Sequence, residues 1–593
     1  MPCHPAVIYG PLEHQNGPFQ PRRPHFDSHS EMIPQTWNLS SLLMMVLLAC
    51  GTSGCTSRHY SRSADRETLG ILVRKSSKVP NSGRGLLNIS PPAPPTLEEL
   101  SKNMKTEDFL GDRAHIEKGA KVIKLADALN YAVTRNRDYL TEKEELYRLA
   151  LDLTLARYQY TPIFAAGGSA TVDRNQIATG VNRFITDSTQ TFEGGAGFTM
   201  LSRTGTRLAA DLTTDFLRFM TGGLREVNDS KLAVTLTQPL LKGAGYLGAS
   251  EVLTQAERDT LYAIRDFTQF RKTFTVDTTA QYYRTLQARD RTRNAYMAYL
   301  SFQKNVDRET GMQEANKRTL PSLLQINQAL LNSKRAWLTA IRTYEQELDD
   351  LKIQLGIPVT TPLMLDGTEL SKLTLLEPPG SLDEAVEIAL STRLDLWNAR
   401  DSLEDADRKV RVAKQDLLPV VNALATYDAA SDPGITNVNI NPRRNKISAG
   451  LEIDLNLDRR EERNNLRSAE VTVQSQKRGL DLAEETVKRN IRADWLDLQL
   501  ARKQYDLAVE DLALSERRLA VETDFFKEDK TLNPRDLIDA QRALINARDQ
   551  MTSTLIAHTI ARLELWKDMG ILFITKDGAW TDVLKNEPPK GDE

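Results

Sequence analysis

A mainly α chain with a segregated β portion, made from a duplicated unit of helix, strands and long helical hairpin, is what the sequence predicts. Three observations carry this. The chain matches itself at a near-constant offset. The apolar period switches from 3.6 residues to two at the same place in both copies. No proline occurs between Pro239 and Pro321, or between Pro442 and Pro534.

At an offset of 257 positions, Leu125 falls on Leu382, Ala128 on Ala385, Ala132 on Ala389, Asp138 on Asp395, Ala156 on Ala413 and Pro162 on Pro419, with no gap. Further on the offset becomes 213 to 214, where Tyr282 meets Trp495, Ala329 meets Ala543, Leu330 meets Leu544 and Gly356 meets Gly570. The change, about 43, places an insertion in the first copy between Pro162 and Pro239. Two long copies make a duplicated structural unit rather than a solenoid, which stacks three or more short ones. The copies occupy 122–362 and 381–575, with a linker over 363–380 and a tail over 576–593.

Residues 1–55 read as an address. Leu39–Ala49, LSSLLMMVLLA, is too short for a spanning helix and suits the apolar region of a signal peptide. Cys50 and Cys55 follow in LLAC and TSGC, each resembling the lipobox cysteine that is acylated in bacterial lipoproteins. Cys55 has the better preceding pair, Ser53 and Gly54, and is preferred; Cys50 is the alternative. A mitochondrial presequence or a buried N-terminal helix is the competing reading. Arg22 and Arg23 lie far upstream of the apolar run, so a later start is open. Residues 56–121, with Pro-Pro-Ala-Pro-Pro at 91–95, read as a Pro-rich polar linker.

Each copy then opens with a helical stretch, Leu125–Tyr160 and Leu382–Leu418, with apolar residues three and four apart. Pro162 and Pro419 follow and mark the helix-to-strand turns, since proline excludes the α conformation before it. Strict alternation comes next. In the second copy Ile447, Ala449, Leu451, Ile453, Leu455 and Leu457 alternate with polar neighbours; the first copy alternates over Phe192–Leu201, Leu208–Phe216 and Leu232–Leu236. Such segments are strands with one wet and one apolar face. A helix follows from about Arg460 to Thr523, rich in good helix formers.

Lys plus Arg is 77 against 80 Asp plus Glu, a net charge of −3, which argues against nucleic acid as a partner. A mean hydropathy of −0.43 excludes a polytopic helical membrane protein but not a β-barrel, whose strands are half polar. The three cysteines all lie in the first tenth of the chain, so no disulfide framework follows it. The seven histidines, His115 and His558 among them, have no metal-ligand spacing, and no hydrolase or kinase motif is present. No cofactor, metal or enzymatic activity is expected. Gly243, Gly245 and Gly248 fit GxGxxG, but no compact βαβ unit surrounds them; they read as a strand-to-helix turn. Trp397, Trp495 and Trp566 read as helix packing, and Phe192, Phe198 and Phe216 as candidates for an aromatic girdle.

The duplicated order, the segment Leu236-Thr-Gln-Pro-Leu-Leu-Lys-Gly-Ala-Gly245, and the closing Leu355-Gly-Ile-Pro358 and Met569-Gly-Ile-Leu572 resemble the TolC-type outer-membrane factors of bacterial efflux pumps and type I secretion systems. The resemblance covers about Leu125–Ile571. It implies a homotrimer in which each chain gives four strands to a shared 12-stranded β-barrel in the outer membrane, continued by an α-helical tunnel through the periplasm. It also implies outer-membrane lipid, a periplasmic adaptor and an inner-membrane pump as partners. Asn533-Pro-Arg-Asp-Leu-Ile-Asp-Ala-Gln541 resembles the family's tunnel-entrance turn, with Asp536 and Asp539 at the acidic gate positions. Ordinary helix-start chemistry is the plainer reading of the same residues. Phe525–Leu532 lacks the Gly-Thr-Arg often found in the family, and the first copy's turn, Glu314–Ser322, lacks the paired acids. The expected function is therefore a passive exit duct. A lipid-anchored coiled-coil tether without a pore is the alternative. Drugs, metal ions and secreted proteins all remain open as cargo.

Overall fold

The computed structural model describes residues 56–83, 96–103, 108–180, 183–219, 225–315, 318–376, 380–432, 440–528 and 534–581. Cys50 and Cys55 lie outside them. Ala64 onward forms one unit; of Met1–Ser63 only 56–63 are described, within helix α1 (Ser57–Ser76). The first copy runs β1 (Lys121–Ile123), α2 (Leu125–Arg135), α3 (Arg137–Tyr158), β2 (Ile163–Gly180), β3 (Arg183–Leu201), β4 (Arg207–Phe219), β5 (Arg225–Pro239), α4 (Glu251–Glu314), α5 (Leu320–Gln354) and β6 (Leu363–Leu365). The second runs α6 (Leu382–Thr392), α7 (Leu394–Asp416), β7 (Val420–Ser431), β8 (Ile440–Asp454), α8 (Arg460–Glu528), α9 (Pro534–Asp568), β9 (Phe573–Ile574) and β10 (Trp580–Thr581).

The helical stretch expected at the head of each copy is broken once, at equivalent residues. Asn136 ends α2 and caps α3, accepting from the Tyr139 N–H at 2.9 Å, while its amide donates to the Gln354 carbonyl at 2.9 Å. Arg393 holds the same place between α6 and α7 and donates to the Asp568 carbonyl at 3.4 Å. Gln354 and Asp568 are themselves equivalent, the last residues of α5 and α9. Gly356 and Gly570 follow with φ of 68° and 76°. A Cβ on Gly356 would collide with the Arg135 carbonyl, and one on Gly570 would lie 2.7 Å from Thr392 Oγ1. Both helix ends therefore need glycine. Periodicity did not reveal the break because the apolar stripe continues across it.

The alternating segments join one antiparallel sheet in the order β2–β3–β4–β5–β7–β8, except that β8 ends at Asp454, before Leu455 and Leu457. The resemblance implies four strands per chain in the barrel; the sequence offers four strand-like segments in the first copy, some of them a longer loop or an additional hairpin, and about two in the second, and all six strands pair here. β4 and β5 stand opposite β7 and β8 at the offset of the later repeat, so β2, β3 and their return turn at 202–206 are the insertion. It is a whole hairpin, placed directly after Pro162. Register keeps one face apolar in the part nearer the helices: Phe164, Phe198, Ala210, Val234, Tyr427 and Ile447 form a single row across all six strands. The next row, on the other face, carries Asp211, Asp428 and Lys446. Phe192, Phe198 and Phe216 all stand on the apolar face, with Phe192 and Phe216 rings 6.1 Å apart. Phe164 and Ile447 are 76% and 74% exposed, so none of the described residues covers this face there.

The two long helices α4 and α8 have 64 and 69 residues. At 1.5 Å per residue, α8 extends about 100 Å. It continues past the expected end near Thr523 to Glu528. Each packs on its return helix, α4 on α5 and α8 on α9. Trp566 is buried, and Trp495 and Trp397 pack at the edges of apolar clusters.

The expected linker 56–121 is in part core, which corrects that reading. Leu72, Val79, Phe109 and Leu110 are buried in one cluster with Leu129, Tyr139, Phe267 and Tyr344. Glu117 is buried too, taking Arg289 at 2.7 and 2.9 Å and the Tyr344 hydroxyl at 2.7 Å. Polar average composition concealed a few well-spaced apolar anchors; the Pro-rich run at 91–95 lies outside the described residues. Likewise 363–380 is not all linker: β6 pairs in parallel with β1, burying Leu363 and Leu365. The tail starts later than 576, since β10 pairs with β9. Glu117→Ala should remove the buried carboxylate that Arg289 and the Tyr344 hydroxyl share and lower stability by about 3 kcal/mol, read by thermal unfolding, with Glu117→Gln costing less.

Candidate functional site

Strands become helices at a junction built from turns of both copies. Leu240 N–H donates to the Val421 carbonyl at 2.7 Å and Lys242 N–H to the Pro419 carbonyl at 3.4 Å. Gln415, in the last turn of α7, donates to the carbonyls of Leu241 (3.1 Å) and Ala244. Gly243 and Gly245 reverse the chain with φ of 74° and 75°, a region that favours glycine. A Cβ on Gly248 would come within 2.8 Å of Gln415 Oε1. Tyr160, two residues before Pro162, donates through its hydroxyl to the Ala249 carbonyl at 2.7 Å. The structure thus brings Gly243, Gly245, Gly248 and Pro419 together, and ties the segment of Pro162 to them.

The return turn of the inserted hairpin sits on the same junction. Gly245 N–H donates to the Thr204 carbonyl at 3.1 Å, and the Thr206 hydroxyl bonds Gln238. Gly205, with φ of 89°, lies so close that a Cβ would come within 2.6 Å of the Gly243 carbonyl oxygen. Lys242 also reaches Glu462 at the start of α8, 3.2 Å away. On the polar face of the sheet, Glu193, Asp215 and Asp229 stand side by side on β3, β4 and β5. Like charges directly opposite repel, so this row favours cations nearby.

At the far end of the helical hairpins, α9 begins at Pro534; Asn533 lies outside the described residues. Asp536 and Asp539 are both exposed, one turn apart. Between them Leu537 and Ile538 are buried against Phe302 and Ile326, which turns the acids away from the packing. Gln541 donates to Ser301 Oγ at 3.1 Å and fixes the helix against α4. The first copy has a different acid here. Glu309 is fully buried, 3.6 Å from Arg318. Burial pushes its carboxyl above the usual range, and Arg318 and Arg308 offset this only in part. In sequence Glu309 reads as one more charge on a helical surface.

A second carboxyl was equally illegible. Asp494 on α8 stands by Asp568 at the end of α9; burial first, then the charge of Asp568 and a hydrogen bond to it, push Asp494 up to about 7. Their first-copy equivalents are Gln281 and Gln354, amides that donate to Glu347 Oε2 at 3.0 Å and Thr278 Oγ1 at 3.1 Å. The sequence offsets pair these residues, and the structure shows that the two acids meet. Among the described residues no group of three or more His, Cys, Asp or Glu could hold a metal ion, and no helix is long and apolar enough to cross a membrane.

Neither a protein-family model nor a curated protein sequence matches this chain. Solved structures do. The Campylobacter jejuni CmeC outer membrane channel is 16% identical, with 80% of this chain and 94% of that one covered at a TM-score of 0.56. The outer membrane protein VceC of Vibrio cholerae is 14% identical, with 75% and 96% covered at 0.55. The Neisseria gonorrhoeae MtrE outer membrane channel, in its open state, is 14% identical, with 77% and 90% covered at 0.54. The chain has the fold of these outer-membrane channels.

The raised Asp494 gives the fold a pH signature. Its folded-state value, about 7, exceeds the ordinary 3.8, so its proton stabilises the folded chain in acid and that contribution is lost as pH rises from about 4 through 7. Asp494→Asn should flatten the pH dependence of thermal unfolding, matching the parent near pH 4 and exceeding it at pH 8.

Proposed function

We propose that this chain is the outer-membrane exit duct of a tripartite efflux pump or type I secretion system, acting as a homotrimer. The observation that carries this is the six-stranded sheet with one apolar face, running without interruption into two helical hairpins whose long arms have 64 and 69 residues. Its exposed apolar face suits lipid; its polar face suits a water-filled lumen. A sheet with two open edges needs further copies to close it.

In this reading the duct is passive. A periplasmic adaptor and an inner-membrane pump supply cargo and direction, and the chain itself performs no catalysis. A lipid on Cys55, or on the alternative Cys50, fastens the trimer to the membrane. Three copies bring Asp536 and Asp539 to the entrance as two stacked rings of carboxylates, whose repulsion favours cations and opposes full closure. The acids of the sheet's polar face act in the same sense. A coiled-coil tether has no use for an apolar-faced sheet at the end of its helices, which weighs against that alternative.

Planar-bilayer recordings test the reading. Purified protein should give discrete conductance steps with cation preference, and Asp536→Ala with Asp539→Ala should enlarge the steps and weaken that preference. Parent-like steps in the double variant would discard the acidic gate. A folded protein that never conducts, even as the double variant, would sink the duct.

A further inference from the structure

The inserted hairpin, β2 with β3, is neither a surface loop nor a flap. β3 holds β4 through 13 registered residue pairs, Thr189↔Phe219 to Leu201↔Arg207, with no bulge. Its apolar side chains share the apolar face of the other four strands, Phe164 and Phe198 beginning the row that ends at Ile447. On β2 that face stays apolar or small from Phe164 to Val172, about nine residues, the length of a strand crossing a bilayer. Beyond it the same face carries Arg174 and Gln176. On β3 the belt runs from Met200 back to Phe192 before Gln190 ends it. Both strands thus have the belt of a membrane wall, and their base is fastened to the strand-to-helix turn through Thr204 and Gly245.

We infer that the hairpin belongs to the barrel wall, so that three copies close a ring of 18 strands, with β2 of one copy pairing β8 of the next. This rests on the trimeric duct proposed above. The edges suit each other. β2 leaves the helical junction and β8 returns to it, so they meet antiparallel, and both edges of the sheet are otherwise unpaired among the described residues. Were the hairpin outside the wall, β4 would have to exchange β3 for β8 of the next copy, and β3 would lose its 13 registered partners, each backbone group left unsatisfied in lipid costing several kcal/mol. Barrel diameter grows about linearly with strand number, so the ring is roughly half as wide again as one of 12 strands.

The helical part does not widen with it. Four helices of each chain, α3, α4, α7 and α8, meet six strands at the junction, and the turn at 202–206 returns β3 into β4 without entering the tunnel. The membrane section is therefore wider than the tunnel it caps.

Cryo-electron microscopy of the full-length protein in lipid nanodiscs tests this. A threefold ring of 18 strands, with β2 against β8 of the neighbour, is expected. A threefold ring of 12, with the hairpin outside it, would overturn the inference and leave the duct intact. A twofold ring of 12 would overturn the inference and the trimer alike. Helical particles with no ring would overturn the duct itself.

Discussion

Backbone groups inside a lipid bilayer must all be hydrogen-bonded by the protein, and the proposed duct depends on that constraint. Six strands pair in one continuous sheet, and among the described residues the outer sides of β2 and β8 have no strand beside them. A single chain is therefore an open sheet, with an apolar face that its own helices do not cover. In the proposed duct, other copies close the sheet, and closure by identical copies makes a pore on the axis. The lumen of that duct and the use of the polar face follow from this one requirement.

The conversion of strand into helix needs sharp turns in a crowded belt. Gly243 and Gly245 reverse the chain where side chains would be strained, and Gly248 leaves room for Gln415. Gln415 in turn satisfies carbonyls that neither strand nor helix can use. Proline ends the incoming helices at 162 and 419. Further along, the two copies solve one docking problem with different residues: Asn136 and Arg393 each tie a helix break to the end of a return helix. The copies also differ in charge. Asp494 with Asp568 replaces Gln281 with Gln354, and a buried Glu309 stands at the first hairpin's tip while exposed acids stand at the second's.

Much of the architecture was legible because its cause is periodic. Alternation in Ile447–Leu457 and the proline-free stretches announce strand and rod directly, and self-comparison locates an insertion without saying what it is. Its nature became clear only in register, where Phe164 lines up with Phe198 and the rest of an apolar row. The helix break at Asn136 was hidden because a cap costs no change in apolar pattern. Phe109, Leu110 and Glu117 were hidden by polar surroundings, since composition averages over the few residues that anchor a segment. Asp536 and Asp539 were visible as a spacing, and the burial of Leu537 and Ile538 accounts for their exposure. Glu309 and Asp494 were not, because burial is a property of neighbours rather than of sequence.

The central claim is that one chain is an incomplete wall completed by two more. Native mass spectrometry of the full-length protein released from detergent micelles tests it most directly. The account predicts a dominant species of three copies that persists under mild activation. A dominant monomer, or a dimer closing its strands between two copies, would contradict it.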